Sequence, residues 1–252
     1  MRGCVCGALA VGVLAAWTGL SRADDQAEAL KIVEAAIKAA GGEAKLDKLK
    51  IASLKGKGTI YEGDQDVGTF SVGGTVQGLD RVRLDLEINV MDRNQKFMVV
   101  ITNESGWVKR DDRVEDAPAE VLQILKAELC ALRLAQLPTL LKGKELKLSP
   151  LGEMKINDRT ALGIKIVKKD HPDTDLYFDK ETHLPIKCEL RVKEPNGMEV
   201  TTAWHFGNFK EAAGVKHPMK VNLHRDDKKM MEMEISEVKS ESKVEENTFA
   251  KP

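Results

Sequence analysis

Two periods alternate along this chain. Between residues 25 and 41, Ala29, Leu30, Val33, Ala36, Ile37 and Ala40 recur at helical spacing, and Gly41-Gly42 end the run. A short second helix is expected over Glu43 to Leu49, with Leu46 and Leu49 inward. From about Ile51 the period falls to two. Arg81 to Val90 shows it best: Val82, Leu84, Leu86, Ile88 and Val90 share one side, and Arg81, Arg83, Asp85, Glu87 and Asn89 share the other. That alternation is a strand with one wet face. Strands are also expected near 52–61, 66–78, 95–102 and 106–110, with Gly63, Gly73 and Gly74 marking turns or bulges.

The helical period then returns. Asp116 is placed to cap, Pro118 sits in the first turn, and Val121, Leu122, Leu125, Leu129 and Leu132 form an apolar stripe that ends at Pro138. Thr139 to Lys142 can add one turn. After Lys144 alternation resumes in Leu162–Ile166, Ile186–Val192, Val200–Phe206, Met219–Leu223 and Met231–Ile235, separated by turn sequences such as Glu194-Pro195-Asn196-Gly197. The sum is an α+β fold: about 10–11 antiparallel strands in one strongly curved sheet, with helices covering its apolar face.

The 252 residues suffice for one large domain or two small ones, and no long linker or fixed-period repeat divides them, so a single domain over 24–252 is expected. Residues 1–23 carry a different signal. Arg2, an apolar run from Val5 to Leu20 and Ser21-Arg22-Ala23 read as a secretory signal peptide cleaved after Ala23. The alternative, a membrane anchor, needs about 20 apolar residues, and the run is shorter. No later segment approaches a span, so no stable membrane insertion is expected. Cleavage would remove Arg2 and Arg22, leaving 37 basic residues against 40 acidic ones. With charges interspersed and aromatic residues at 4%, neither a basic stripe nor a stacking platform for nucleic acid is present. Cys130 and Cys188 would remain, either as one disulfide or as two buried thiols.

Catalytic chemistry is hard to find. There is no Gly-x-Ser-x-Gly elbow, and Lys55-Gly56-Lys57-Gly58-Thr59 lacks phosphate-loop spacing and reads as strand. The histidines form no helical metal pair, and no metal or cofactor is expected. His205 and His217, in or near strands, are the pair that could meet in space, and they are the candidate an enzyme would have to use. Leu176–Lys187, "LYFDKETHLPIK", packs acids, a hydroxyl and a histidine together, yet it reads as a turn. Asp179 can accept backbone N–H bonds, Pro185 opens a strand, and Glu181 and His183 lie at the tip. What remains is apolar: alternating strands, a leucine-rich helix, and Met91, Met98, Met230, Met231 and Met233.

Three later stretches carry a resemblance: "LYFDKETHLPIKCEL", "FGNFKEAAGVKHPMKVNL" and "EISEVKSESKVEENTFAKP". With the order of elements over residues 30–252, the chain resembles the LolA/LolB-like superfamily of bacterial periplasmic proteins, especially its outer membrane lipoprotein-sorting relatives. The resemblance implies a half-open β-barrel whose concave apolar face lies under a helical lid and receives acyl chains. It also implies a buried arginine that helps hold the lid; Arg81 and Arg83 are candidates by position, but alternation puts both on the wet face.

The expected ligand is an acyl chain, lipid or lipoprotein, bound without catalysis in the periplasm. Its lining is expected from Leu84, Leu86, Ile88, Phe97, Val99, Ile164, Leu190, Trp204, Met231 and Met233, with Leu122, Leu125 and Leu129 on the covering helix. The alternative is an envelope interaction module whose interior is filled by its own helices and whose surface docks a protein partner.

Overall fold

A computed structural model describes residues 18–91, 93–212 and 214–252. Most of the expected signal peptide falls on residues 1–17, outside the described residues. Helix α1 (Thr18–Ala40) is followed by the single turn α2 (Glu43–Leu46) and a 3-10 turn (Asp47–Lys50). Six strands follow: β1 (Ile51–Glu62), β2 (Gln65–Gln77), β3 (Arg81–Val90), β4 (Arg93–Ile101), β5 (Gly106–Arg110) and β6 (Arg113–Asp116). Helix α3 (Ala119–Gln136) and a 3-10 turn (Pro138–Lys142) interrupt the sheet. Seven more strands complete it: β7 (Leu146–Ile156), β8 (Arg159–Lys168), β9 (Thr174–Asp179), β10 (Pro185–Lys193), β11 (Glu199–Ala212), β12 (Val215–Arg225) and β13 (Lys228–Ser240).

All thirteen strands form one antiparallel sheet in the order β6-β5-β4-β3-β2-β1-β13-β12-β11-β10-β9-β8-β7. β1 and β13 meet at its centre, and β6 and β7 are free edges, so the sheet is open rather than a closed barrel. The fold is the α+β arrangement expected from sequence, extended by two strands. β6 has only four residues, and in β7 Pro150 and a bulge at Gly152 break the alternation.

The helices stop where the sequence allows. At the end of α1, Gly41 and Gly42 take φ of 130° and 92°, and Gly42 N–H donates to Ile37 O at 2.9 Å. Pro118 occupies the cap of α3, and no side chain caps this helix; Asp116 belongs to β6 and pairs instead with Lys251 at 2.8 Å. Pro138 follows α3 directly and lacks the N–H needed to continue it.

The core lies between the helices and one face of the sheet. α1 packs on β7, β8 and β12, and α3 packs on β10. The deepest side chains include Val33 of α1, Leu134 of α3, and Ile164, Ile166, Leu176 and Phe178 of β8 and β9. The most deeply buried residues of α3 lie beside the leucine stripe, which itself packs against the core. Ala127, Cys130, Ala131, Leu134 and Ala135 are buried, whereas Leu122, Leu125, Leu129 and Leu132 are half-buried. Small side chains let the helix approach the sheet closely. Cys130 and Cys188 are both buried free thiols.

Candidate functional site

One face of the sheet is apolar across most of its width. The register aligns Val90, Gly68, Ile60, Met231, Leu223, Trp204, Cys188, Leu176 and Ile164 in a single row from β3 to β8. A second row aligns Ile88, Phe70, Gly58, Met233, Val221 and Phe206. Because side chains alternate, both rows point to the helix-covered side. Gly58 shows how tightly the row is laid: a Cβ there would come within 2.6 Å of the Phe70 ring, so the ring lies across the glycine.

Every strand residue expected to line a cavity falls on this face. Ile164, Leu190 and Trp204 are buried in the main core. Leu84, Val99, Met231 and Met233 are half-buried and pack against it, as do Leu122, Leu125 and Leu129 of α3. Leu86, Ile88 and Phe97 share the face but are half-buried outside that core. The Trp204 indole N–H is buried with no acceptor among the described residues.

Polar side chains that sequence reasoning did not single out hold α3 to both halves of the sheet. Arg133 is the one buried arginine among the described residues. Its Nε donates to Gly78 O (3.0 Å) and its Nη2 to Leu49 O (3.1 Å), at the β2–β3 turn and just before β1. Burial lowers its pKa to about 10, so it stays charged at neutral pH. No carboxylate pairs with it among the described residues. Arg81 is exposed and Arg83 pairs with Asp85 at 3.2 Å, so neither takes this role. On the other side of α3, buried Glu128 accepts from Thr202 Oγ1 (3.2 Å) and Arg225 Nη2 (3.4 Å). Burial raises the Glu128 pKa, and Arg225 and Thr202 offset this only in part. Glu128 and Arg133 are two of the four charged residues of α3, with Glu120 and Lys126, and they are the two that are buried.

Beneath the C-terminal half of α3 a small, partly open pocket of about 40 Å³ remains, lined by Ala52, Leu54, Val76, Arg133, Leu137 and Ile235. The larger hollows lie elsewhere. One of about 570 Å³ is an open groove on the polar face, bordered by Lys57, Thr59, Glu87, Asn89 and Glu232. Another, of about 770 Å³, separates Ser53, Thr75 and Arg83 from the C-terminal segment at Glu241 to Thr248. That segment ends with Phe249 buried beside the Arg81 guanidinium (5.9 Å).

The histidine pair considered from sequence does not form. His217 is buried on the helix-covered face, whereas alternation from Trp204 puts His205 on the other. His205 instead meets His224 edge to face at 4.8 Å. Burial first, then His224 and Lys187, lower its pKa to about 4, so it is neutral near pH 7. No three His, Cys, Asp or Glu side chains among the described residues gather as metal ligands. No described helix is long and apolar enough to cross a membrane.

No family model and no curated protein matches this sequence. Solved structures do match. A domain from Vibrio parahaemolyticus, assigned to the outer membrane lipoprotein-sorting proteins, superposes with a TM-score of 0.58 at 14% identity over 90% of this chain and 97% of its own. A LolA superfamily protein from Nitrosomonas europaea gives 0.54 at 12% identity, covering 88% and 97%. A DUF1329 family protein from Desulfovibrio piger gives 0.52 at 11%, covering 88% and 96%. At such identities the likeness establishes the fold: this chain has the LolA-like open half-barrel.

Proposed function

We propose that this chain is a non-enzymatic periplasmic carrier that shelters an acyl chain of a lipid or lipoprotein against the apolar face of its sheet, with α3 as the lid. The observation that carries the reading is the apolar row from Val90 to Ile164, which crosses strands on both sides of the sheet's centre. Leu86, Ile88 and Phe97 stay half-exposed on the same face. Each buried CH₂ contributes about 0.8 kcal/mol, so a chain of ordinary length has ample driving force. The LolA-like fold and the expected export signal support the same compartment.

The pocket of about 40 Å³ under α3 has room for a few waters but not for an acyl chain. A ligand therefore requires α3 to move. Arg133 makes that movement feasible: closure buries a guanidinium against two carbonyls without a counter-charge, and opening returns it to water.

The same small pocket favours a second reading, an envelope interaction module with a filled interior. One experiment separates them. Protein purified without detergent should release acylated species in mass spectrometry and take up a fluorescent fatty acid. Neither event would occur if the interior stays closed, and the module would then be preferred.

A further inference from the structure

Beside α3 lies a recess of about 280 Å³ that the apolar face does not explain. It opens between α3 and three turns, those joining β2 to β3, β4 to β5, and β8 to β9. Its floor is apolar: Leu79, Ile101 and Leu129. Ile101 belongs to the main core, and Leu79 and Leu129 pack against it, so the floor is the outer surface of that core.

The rim is cationic. Lys126, Lys168 and Lys169 line it, against the two carboxylates of Asp80 and Asp170. Their bonding leaves these ammonium groups under-used. Lys126 Nζ donates to the Asn103 carbonyl at 2.7 Å, a neutral partner. Lys168 makes its short contact, 2.7 Å, to His171 Nε2, while the Asp80 carboxylate stands off at 3.9 Å. Burial and the neighbouring Lys168 lower the His171 pKa, so the ring accepts as neutral imidazole. Each ammonium has three donors, so both lysines keep donors for an anion. The Lys168 side chain is only 19% exposed, which strengthens any charge it meets there.

An apolar floor under a cationic rim, at the seam where α3 meets the sheet, matches an amphiphile rather than a simple ion. We infer that this recess is a head-group site for the anionic end, carboxylate or phosphate, of an acyl ligand whose chain passes between Leu129 and Ile101 beneath α3. The inference rests on the carrier reading above and adds selectivity to it: the protein prefers anionic amphiphiles over neutral ones of equal chain length.

The test compares the affinities of the full chain for palmitate, palmitoyl lysophosphatidate, monopalmitoyl glycerol and inorganic phosphate, below micelle-forming concentrations. The wild type should bind one or both anionic amphiphiles at least about tenfold more tightly than monopalmitoyl glycerol. Their ratio assigns carboxylate or phosphate. The double variant Lys126→Gln, Lys168→Gln should lose the preference while keeping its affinity for monopalmitoyl glycerol, and Lys126→Arg, Lys168→Arg should retain it. Unchanged thermal melting checks that each variant is folded. Equal binding of all three amphiphiles overturns the head-group site and leaves the carrier reading intact, as does a preference that survives the glutamine pair. Inorganic phosphate binding as tightly as lysophosphatidate would mark a free-anion site and also overturn it. Binding of no amphiphile would remove the carrier reading, and the inference with it.

Discussion

Asp179 shows how one residue turns a suspicious cluster into structure. Its Oδ1 accepts from the N–H groups of Glu181 (3.1 Å) and Thr182 (2.8 Å) and from the Thr182 hydroxyl (3.0 Å). Its own N–H and C=O bond Leu184 and His183, and Pro185 then opens β10. The dense polar string is a self-satisfied turn, as its Asp–Thr–Pro spacing indicated. Burial pushes the Asp179 carboxyl up, but Thr182, Glu181 and Arg159 outweigh it and hold the pKa below its ordinary 3.8. The ionised form is thus favoured in the folded state. Its stabilisation is complete above pH 3.8 and is lost as pH falls through the lower folded value. Asp179→Ala should cost about 2 kcal/mol in urea unfolding at pH 7. Asp179→Asn should show a smaller acid-side loss than the wild type, the remainder coming from carboxylates such as Glu232. Arg133 was less legible, because a lone arginine in an apolar helix has the same spacing whether it reaches water or two backbone carbonyls.

At the scale of elements, α3 is decided by two kinds of contact. Hydrophobic period found the helix and a leucine stripe that packs on the core, but not the deeper seam at Ala127, Ala131 and Ala135, since alanine carries a weak signal. Leu134→Ala, at a site 1% exposed, should destabilise by about 3 kcal/mol, and Leu129→Ala, on the half-buried side, by about 1 kcal/mol, measured by chemical denaturation. Glu128 adds a dependence on pH. Its folded pKa is raised above 4.5, so in the window just above 4.5 the folded chain holds a proton that the unfolded chain has released. Stability therefore declines as pH rises through that window and levels off beyond it. Glu128→Gln should flatten this part of the pH–stability curve.

Across the whole molecule, cover is unequal. Both long helices pack on strands of the C-terminal half, and the least exposed strand residues cluster in β8 and β9, whereas β3 and β4 keep a half-exposed apolar face. Amide exchange should accordingly be slowest in β8 to β11 and faster in β3, β4 and the first turns of α3, and an acyl ligand should slow the second group. The fold class was readable because strand alternation persists through most of the chain. The extent of the covered interior was not, because it depends on how far α3 lies from the sheet, which no periodicity encodes. The edges were missed for a related reason: β6 is short, and β7 is interrupted by Pro150 and Gly152.

The pairing of β1 with β13 at the centre of the sheet has a bearing on assembly. Ala52 lies opposite Ser240, and Ile60 opposite Met231, so the two halves are joined by residues far apart in the chain. Each half is a run of neighbouring hairpins that can form from local pairings, but the seam between them must close a loop of great length, which slows folding. A chain synthesised from its N-terminus cannot complete the seam until residues 228–240 have followed. β13 would then join two preformed half-sheets into one continuous apolar surface.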